Sequence, residues 1–240
     1  MGRKWNNIKY GKAAKDAARS KIYSRFGKEI YMAAKNGEPD VELNRNLAAI
    51  VDRAKAAGVT RDIIDRAINK ASAGVDENYE PIRYEGYGPA GAAIIVDAFS
   101  DNVNRTVALV RNVFKKNGGN MGVSGAVAFM FERTALFVFD GIDVESVLEV
   151  LIESDIDVRD TYENDDQISV LADSEQFHAV QKALAGIGIT EFEVADLTML
   201  PLTTIQLTGD NLENFMKLID ALETLEDVTN VYHNVEILPD

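Results

Sequence analysis

The chain has 240 residues, with 39 Asp and Glu against 25 Lys and Arg, so its formal net charge is −14, and 46% of its residues are hydrophobic. That composition excludes a disordered or fibrous protein and allows one to three domains of about 150 residues. The absence of cysteine excludes disulfides, thiolate metal sites and cysteine nucleophiles, and no apolar run approaches the ~18 residues of a membrane span, so a cytoplasmic protein with no membrane partner is expected.

The first element predicted is a helix from Lys12 to Ala34, alanine-rich and interrupted only by Gly27, with Ile22, Phe26, Ile30, Ala33 and Ala34 at helical spacing. Asn36, Gly37 and Pro39 end it. Leu43, Leu47, Ile50, Val51 and Ala54 predict a second helix stopped at Gly58, and Thr60 is placed to cap a third, with Val59 and Ile64 as a hydrophobic staple. Beyond Gly74 the period changes. A strand is expected over 92–99, a helix over 105–117 capped by Asp101 or Asn104 and stopped at Gly118 and Gly119, and a strand over 126–131. Residues 134–201 read as strand (135–139), helix (144–153, capped by Asp143), strand (156–162), strand (167–172), helix (175–185, capped by Ser174) and strand (191–197). A last strand (204–208), helix (212–225, capped by Asp210 or Asn211) and strand (228–237) complete the chain.

The expected class is therefore α+β: an N-terminal helical domain followed by two ferredoxin-like α/β sandwich domains, one inserted in the other. Residues 1–76 form the basic arm and helical domain. Residues 77–133 plus 202–240 form a discontinuous sandwich, and residues 134–201 the inserted acidic one.

The two signs of charge are segregated along this plan. Residues 1–35 carry a net +8, residues 36–75 zero, residues 76–134 −1 and residues 135–240 −21. A basic end seeks phosphate or an acidic surface, while an acidic body repels phosphate.

Three motifs suggest chemistry and do not sustain it. Gly86-Tyr87-Gly88-Pro89-Ala90-Gly91 matches G-x-G-x-x-G, yet it opens the strand Ala92-Ala93-Ile94-Ile95-Val96 rather than a helix whose N-terminus could meet a pyrophosphate. It is expected to be a turn between two strands. His178 and His233 lack a second histidine at helical spacing, and both read as structural. The carboxylates Asp155, Asp157, Asp160, Glu163, Asp165 and Asp166 lack the glycine and terminal glutamate of a calcium loop and read as a solvated acidic face. No catalytic residue, metal or cofactor is expected.

The positive signal lies in the first 28 residues. Arg3, Lys4, Trp5, Asn6 and Lys9 interleave cations, an amide and an aromatic, the mixture that grips phosphates and stacks on bases. Lys12, Lys15 and Arg19 continue the apolar face of the first helix toward its N-terminus, and Lys21, Arg25 and Lys28 cluster on a roughly opposite face. Because a face with three unpaired cations cannot be buried, this portion is expected to project into solvent and bind nucleic acid. A secondary contact surface is expected at Asn104, Arg105, Arg111, Lys115 and Lys116, which include four of the few cations beyond residue 75.

MGRKWNNIKYGKAAKDAARSKIYSRFGKEI, the RAKAAGVTRDIIDRAI stretch and YEGYGPAGAAIIVDAFSDNVNRTVALVRNVFKKNGGNMGVSGAVAFMFER resemble the YebC/PmpR family, and the likeness runs from the first residue to the last strand. Gly2-Arg3-Lys4-Trp5 and Tyr10-Gly11-Lys12 depart from the commoner opening and resemble the YeeN-like branch. The resemblance implies three domains around a cleft and a cytoplasmic, probable transcriptional regulator that binds DNA. It also implies an alternative, since relatives, mitochondrial ones included, are tied to translation on the ribosome. As a DNA reader, the chain would use Ala54, Gly58, Val59 and Ile64 as a helix-turn-helix spacing, with Arg61, Arg66, Asn69 and Lys70 reaching bases; Arg53 stands where that motif wants an apolar residue. As a ribosome-associated RNA-binding factor, it would insert the basic arm into ribosomal RNA while the acidic domains meet basic proteins.

Overall fold

The computed structural model describes residues 12–74, 77–140, 143–164 and 167–236, with side chains from residue 20 onward except that of Asn164. Three helices come first: α1 (Lys12–Lys35), α2 (Arg45–Ala56) and α3 (Arg61–Ser72). α1 buries Phe26, Ile30, Ala33 and Ala34, the predicted stripe, against its two partners. Asn44 joins the end of one helix to the start of the next. Its Oδ1 accepts the Leu47 N–H at 3.0 Å to cap α2, and its Nδ2 donates to the carbonyls of Ala33 (3.0 Å) and Glu38 (2.9 Å). A side chain at Gly37 would intrude on that amide, because a Cβ there would lie 2.7 Å from Nδ2. α2 ends through Gly58 in the left-handed region, φ 74°, where glycine carries no steric penalty. Thr60 does stand at the N-cap of α3, but its side chain makes no capping bond; Val59 and Ile64, the expected staple, are both buried.

The strands and remaining helices follow in the order β1 (Glu80–Tyr87), β2 (Ala93–Ser100), α4 (Val103–Lys116), β3 (Asn120–Met121), β4 (Phe131–Asp140), α5 (Val144–Glu153), β5 (Val158–Asn164), β6 (Gln167–Asp173), α6 (Phe177–Gly186), β7 (Val194–Pro201), β8 (Ile205–Gln206), α7 (Gly209–Glu223), β9 (Val228–His233) and β10 (Val235–Glu236). The class is mixed α and β, as expected, with two antiparallel four-stranded sheets; the strand expected over 204–208 is only β8, which pairs in parallel with β10 outside both sheets, and β1 takes its place beside β2.

Two compact units share these elements. The first holds the described residues up to Gly74 together with Arg133–Met199, and the second the described residues on to Glu132 and from Leu200 onward. In the first, a sheet of order β5-β6-β4-β7 lays Phe137, Phe139, Ile168 and Val170 against Val147 and Leu151 of α5 and Phe177, Val180 and Leu184 of α6. Ala56 at the end of α2 joins the same core. In the second, a sheet of order β3-β1-β2-β9 packs Ile94, Val96 and Val228 against Val110 and Phe114 of α4 and Phe215, Leu218 and Leu222 of α7.

The glycine-rich motif is a turn between β1 and β2, closed by the Gly88 N–H donating to the Ala92 carbonyl at 2.7 Å. It opens a strand and presents no helix terminus to an anion.

Several expectations need correction. Residues 126–131 do not form a strand. Ala128–Met130 make a 3₁₀ turn and only Phe131 enters β4, because the amides of Gly125, Val127 and Ala128 are claimed by the Glu85 carboxylate instead of a strand partner. Asn120–Met121 supply the edge strand in their place. Asn102, not Asp101 or Asn104, caps α4 by accepting the Arg105 N–H at 3.0 Å, since Asp101 is engaged by the Arg105 guanidinium. Asp143 caps α5 as expected. Ser174 does not cap α6: it begins a 3₁₀ turn held by Asp173, which accepts the Glu175 N–H at 2.8 Å. α7 begins at Gly209, before Asp210 and Asn211, and Thr208 gives it no side-chain cap. The last strand breaks at Asn234, whose buried Oδ1 accepts the Ala93 N–H at 2.8 Å.

Candidate nucleic-acid interface

Of the residues expected to contact nucleic acid, Arg3, Lys4, Trp5, Asn6 and Lys9 lie outside the described residues. Lys12, Lys15 and Arg19 belong to α1, and their side chains lie outside the description. Lys21 and Lys28 are partly buried.

Arg25 departs from the expectation of a solvent-facing cation. It is 7% exposed, its Nη2 is bound to the Asp196 carboxylate, and its Nε lies 3.7 Å from Glu29. The Glu29 carboxylate also takes Arg53 Nη2 at 3.0 Å, and Arg53 Nη1 reaches Asp196 at 3.8 Å. Both guanidinium carbons sit over the Phe26 ring, 4.6 and 5.8 Å from its centroid. Two arginines and two acids thus neutralise one another around an aromatic, which meets the requirement that a buried charge be paired. The same network accounts for Arg53 in a position that a helix-turn-helix would fill with an apolar residue.

α3 spends its cations locally. Arg66 pairs with Asp62, Arg61 Nε lies 3.4 Å from Asp65, and Lys70 Nζ stands 5.4 Å from the Tyr31 ring centroid. Asn69 is exposed.

In the second unit the expected secondary residues divide. Arg105 is a structural residue: its Nη2 lies 2.7 Å from Asp101 and 2.8 Å from Asp227. Asp227 is buried and also accepts the Ser100 hydroxyl at 3.0 Å and the Thr106 hydroxyl at 2.5 Å. Burial alone would raise that carboxyl, but Arg105, Thr106 and Ser100 outweigh it and hold the group below the usual carboxylate range. Asn104, Arg111, Lys115 and Lys116 are exposed, and the last three form no ion pair among the described residues.

Glu85 is the residue that sequence reasoning missed. Its side chain carries the only acid of β1's buried stretch, it is 4% exposed, and it accepts the N–H groups of Gly125, Val127 and Ala128, each at 2.7 Å. Burial pushes its carboxyl up, yet the three amides and nearby Arg83 bring it below its ordinary value. A glutamate between tyrosine and glycine in a strand carries no signal of a loop some 40 residues away in sequence.

The two histidines serve packing. His178 meets Phe177 edge to face, with centroids 5.7 Å apart, and His233 meets Phe215 likewise at 5.0 Å. Burial pushes the His233 imidazole down to about 4. Among the described residues no His, Asp and Glu cluster is arranged to hold a metal, and no helix is long and apolar enough to cross a membrane.

Comparison with known proteins places this geometry among relatives. The model of a TACO1/YebC protein N-terminal domain matches residues 3–74, and that of a TACO1/YebC second and third domain matches residues 79–235. The crystal structure of a conserved hypothetical protein from Aquifex aeolicus is similar over 98% of both chains, at 35% identity and a TM-score of 0.81.

Proposed function

Because the chain belongs to the TACO1/YebC family, we propose that it is a cytoplasmic nucleic-acid-binding regulator of gene expression, not an enzyme, that grips DNA through its basic amino-terminal stretch. One observation carries this reading: the first 35 residues hold a net +8 in a chain whose total is −14. Solvation alone needs no such concentration of one sign, and phosphate is the ligand it fits. The binding set is Arg3, Lys4, Trp5, Asn6, Lys9, Lys12, Lys15, Arg19, Lys21 and Lys28, without Arg25, whose guanidinium is committed to Asp196 and Glu29. We read the chain as three parts, 1–76, 77–133 plus 202–240, and 134–201, with the latter two as ferredoxin-like sandwiches. The four-stranded sheets, each covered by two helices, support that division.

A second reading, a ribosome-associated RNA-binding translation factor, is favoured by the −21 of residues 135–240, which repels free polyanions and suits a site already crowded with basic protein. Crosslinking in cells separates the two. Promoter fragments on the protein support regulation of transcription, and ribosomal RNA supports the translation role. Deleting residues 1–20 removes six cations and one acid. With about five phosphates neutralised, binding should follow a log–log salt slope of about −4.5 on duplex or about −3.5 on a single strand, and the deletion should flatten it. A deleted protein that binds as tightly as the intact one, with the same slope, would overturn both readings.

A further inference from the structure

α4 and α7 pack against the same sheet and against each other, and they carry opposite charge. None of the chain's 39 acids falls within α4, which holds Arg105, Arg111, Lys115 and Lys116. α7 holds Asp210, Glu213, Asp220 and Glu223 against Lys217 alone. α4 stands over β1 and β3 and α7 over β9, and β3 is the outermost strand of the sheet. α4 therefore runs along one border of the second unit.

At about 100° per residue, the buried row Thr106, Val110 and Phe114 fixes the inner side of α4, and the residues on its outer side are exposed. Ala108 and Asn112 each lie about 160° from Val110, in opposite senses, and form the crest. Asn104, Arg111 and Lys115 fall on one flank of that crest, and Arg105, Leu109 and Lys116 on the other. Arg105 is engaged by Asp101 and Asp227. Arg111, Lys115 and Lys116 form no ion pair among the described residues.

Lysines in a last turn answer the helix dipole, which accounts for Lys115 and Lys116 on any surface helix. It does not account for Arg111, which stands a turn earlier. Nor does it account for the lack of a carboxylate one turn before each of the three, the pairing that Lys217 finds in Glu213 at 2.6 Å on α7. Cations on both flanks of a narrow crest of small and amide side chains suit a ligand with phosphates on two walls and hydrogen-bonding edges between them. The major groove of duplex DNA is such a ligand: at about 12 Å wide it admits one helix, and asparagine pairs there with adenine edges. The acids of α7 confine the contact to α4, because a polyanion spread across both helices would meet them.

The geometry points to α4 as the helix that enters the major groove of duplex DNA, with Ala108 and Asn112 toward the base edges, Arg111 and Lys115 on the phosphates of one strand and Lys116 on those of the other. This rests on the DNA reading above and names the element that meets the duplex. It takes the place of α3, whose Arg66 and Arg61 face their own Asp62 and Asp65. From Asn104 to Lys116 the face runs about 18 Å, about half a helical turn of the duplex. Duplex RNA does not fit the same face, because its major groove is too deep and narrow for side chains to read.

The test uses the full-length protein with a labelled duplex DNA about two helical turns long and the duplex RNA of the same sequence. Arg111→Ala, Lys115→Ala and Lys116→Ala together should flatten the log–log salt slope on DNA by about 2.7, and should cost DNA at least about tenfold more affinity than RNA. Ala108→Glu puts a carboxylate on the crest at an exposed position with a good helix former. It should weaken DNA binding while leaving the unfolding midpoint in place. Because the chain has no cysteine, Ala108→Cys carrying a photocrosslinker reports the contact directly: it should label DNA bases, whereas Asn214→Cys at an exposed position of α7 should not. Wild-type slope and DNA affinity in the triple variant, equal losses on DNA and RNA, or equal crosslinking from the two cysteines would overturn the groove contact. Each would leave the basic-arm reading intact, since deletion of residues 1–20 tests that separately. Intact protein that binds neither duplex would overturn both.

Discussion

Two cationic stretches in this chain differ in where their acids stand. In α1 the cations are interleaved with Asp16 and Glu29, and Arg25 is drawn inward onto Asp196 from 171 residues away. In α4 the acids stop at Asp101, Arg105 alone is engaged, and the later lysines stay in solvent. A net charge summed along a sequence counts both stretches equally. The positions of the opposing carboxylates decide which cations remain for a ligand and which hold the fold together.

The sharpest way to break this contrast is to remove the acid from each arginine cluster. Asp196→Ala leaves Arg25 buried and short of a counter-charge, so unfolding in urea should show a loss of about 3–5 kcal/mol. Next in size is a pH effect on the one cationic group type that the second unit keeps neutral. His233 has a folded value of about 4, so the unfolded chain, at about 6.5, takes up a proton first. The stability it contributes is whole above about pH 6.5 and is lost as pH falls toward 4, up to about 3 kcal/mol. Denaturation midpoints taken across that window should fall, and His233→Gln should remove that part of the slope.

Asp227→Ala should cost less than Asp196→Ala, about 1–3 kcal/mol. Ser100 and Thr106 still hydrogen-bond each other at 2.7 Å, and Arg105, about half exposed, keeps Asp101. Equal losses for the two substitutions would erase the distinction between a buried and a rim arginine. Smallest of all is Arg66→Ala. Its pair with Asp62 is exposed, so the unfolding midpoint should move by less than about 0.5 kcal/mol, and nucleic-acid affinity should stay unchanged unless α3 reads bases.

Much of the architecture was legible because its determinants are local. Phe26, Ile30 and Ala33 announce α1 by spacing, Asp143 announces α5 by its place before an apolar run, and Gly58 announces a stop. What was not legible depends on partners far along the chain. The 126–131 segment has the composition of a strand, but Glu85 takes its amides. Residues 228–237 read as one strand, but Asn234 turns its side chain onto Ala93 and breaks it. In the candidate interface, Arg25 was identifiable as a cation and not as a buried one, since its fate lies with Asp196.

The pairing of β2 with β9 has a consequence in time. Ile94 lies opposite His233 and Val96 opposite Val231, so a central strand of the second unit waits for a neighbour made more than 130 residues later. At roughly 5–20 residues per second of synthesis, that wait is on the order of ten seconds. During it, the apolar face of β2 has only β1, β3 and α4 for cover. The Arg133–Met199 stretch emerges in the interval, and its first and last strands, β4 and β7, are neighbours in their own sheet. Once that sheet forms, its two ends are held together and the long loop between β2 and β9 is already closed, which removes most of the entropy that the late strand would otherwise have to overcome. The pairing within the Arg133–Met199 stretch therefore shortens the loop that β9 has to close on β2, a strand made long before it.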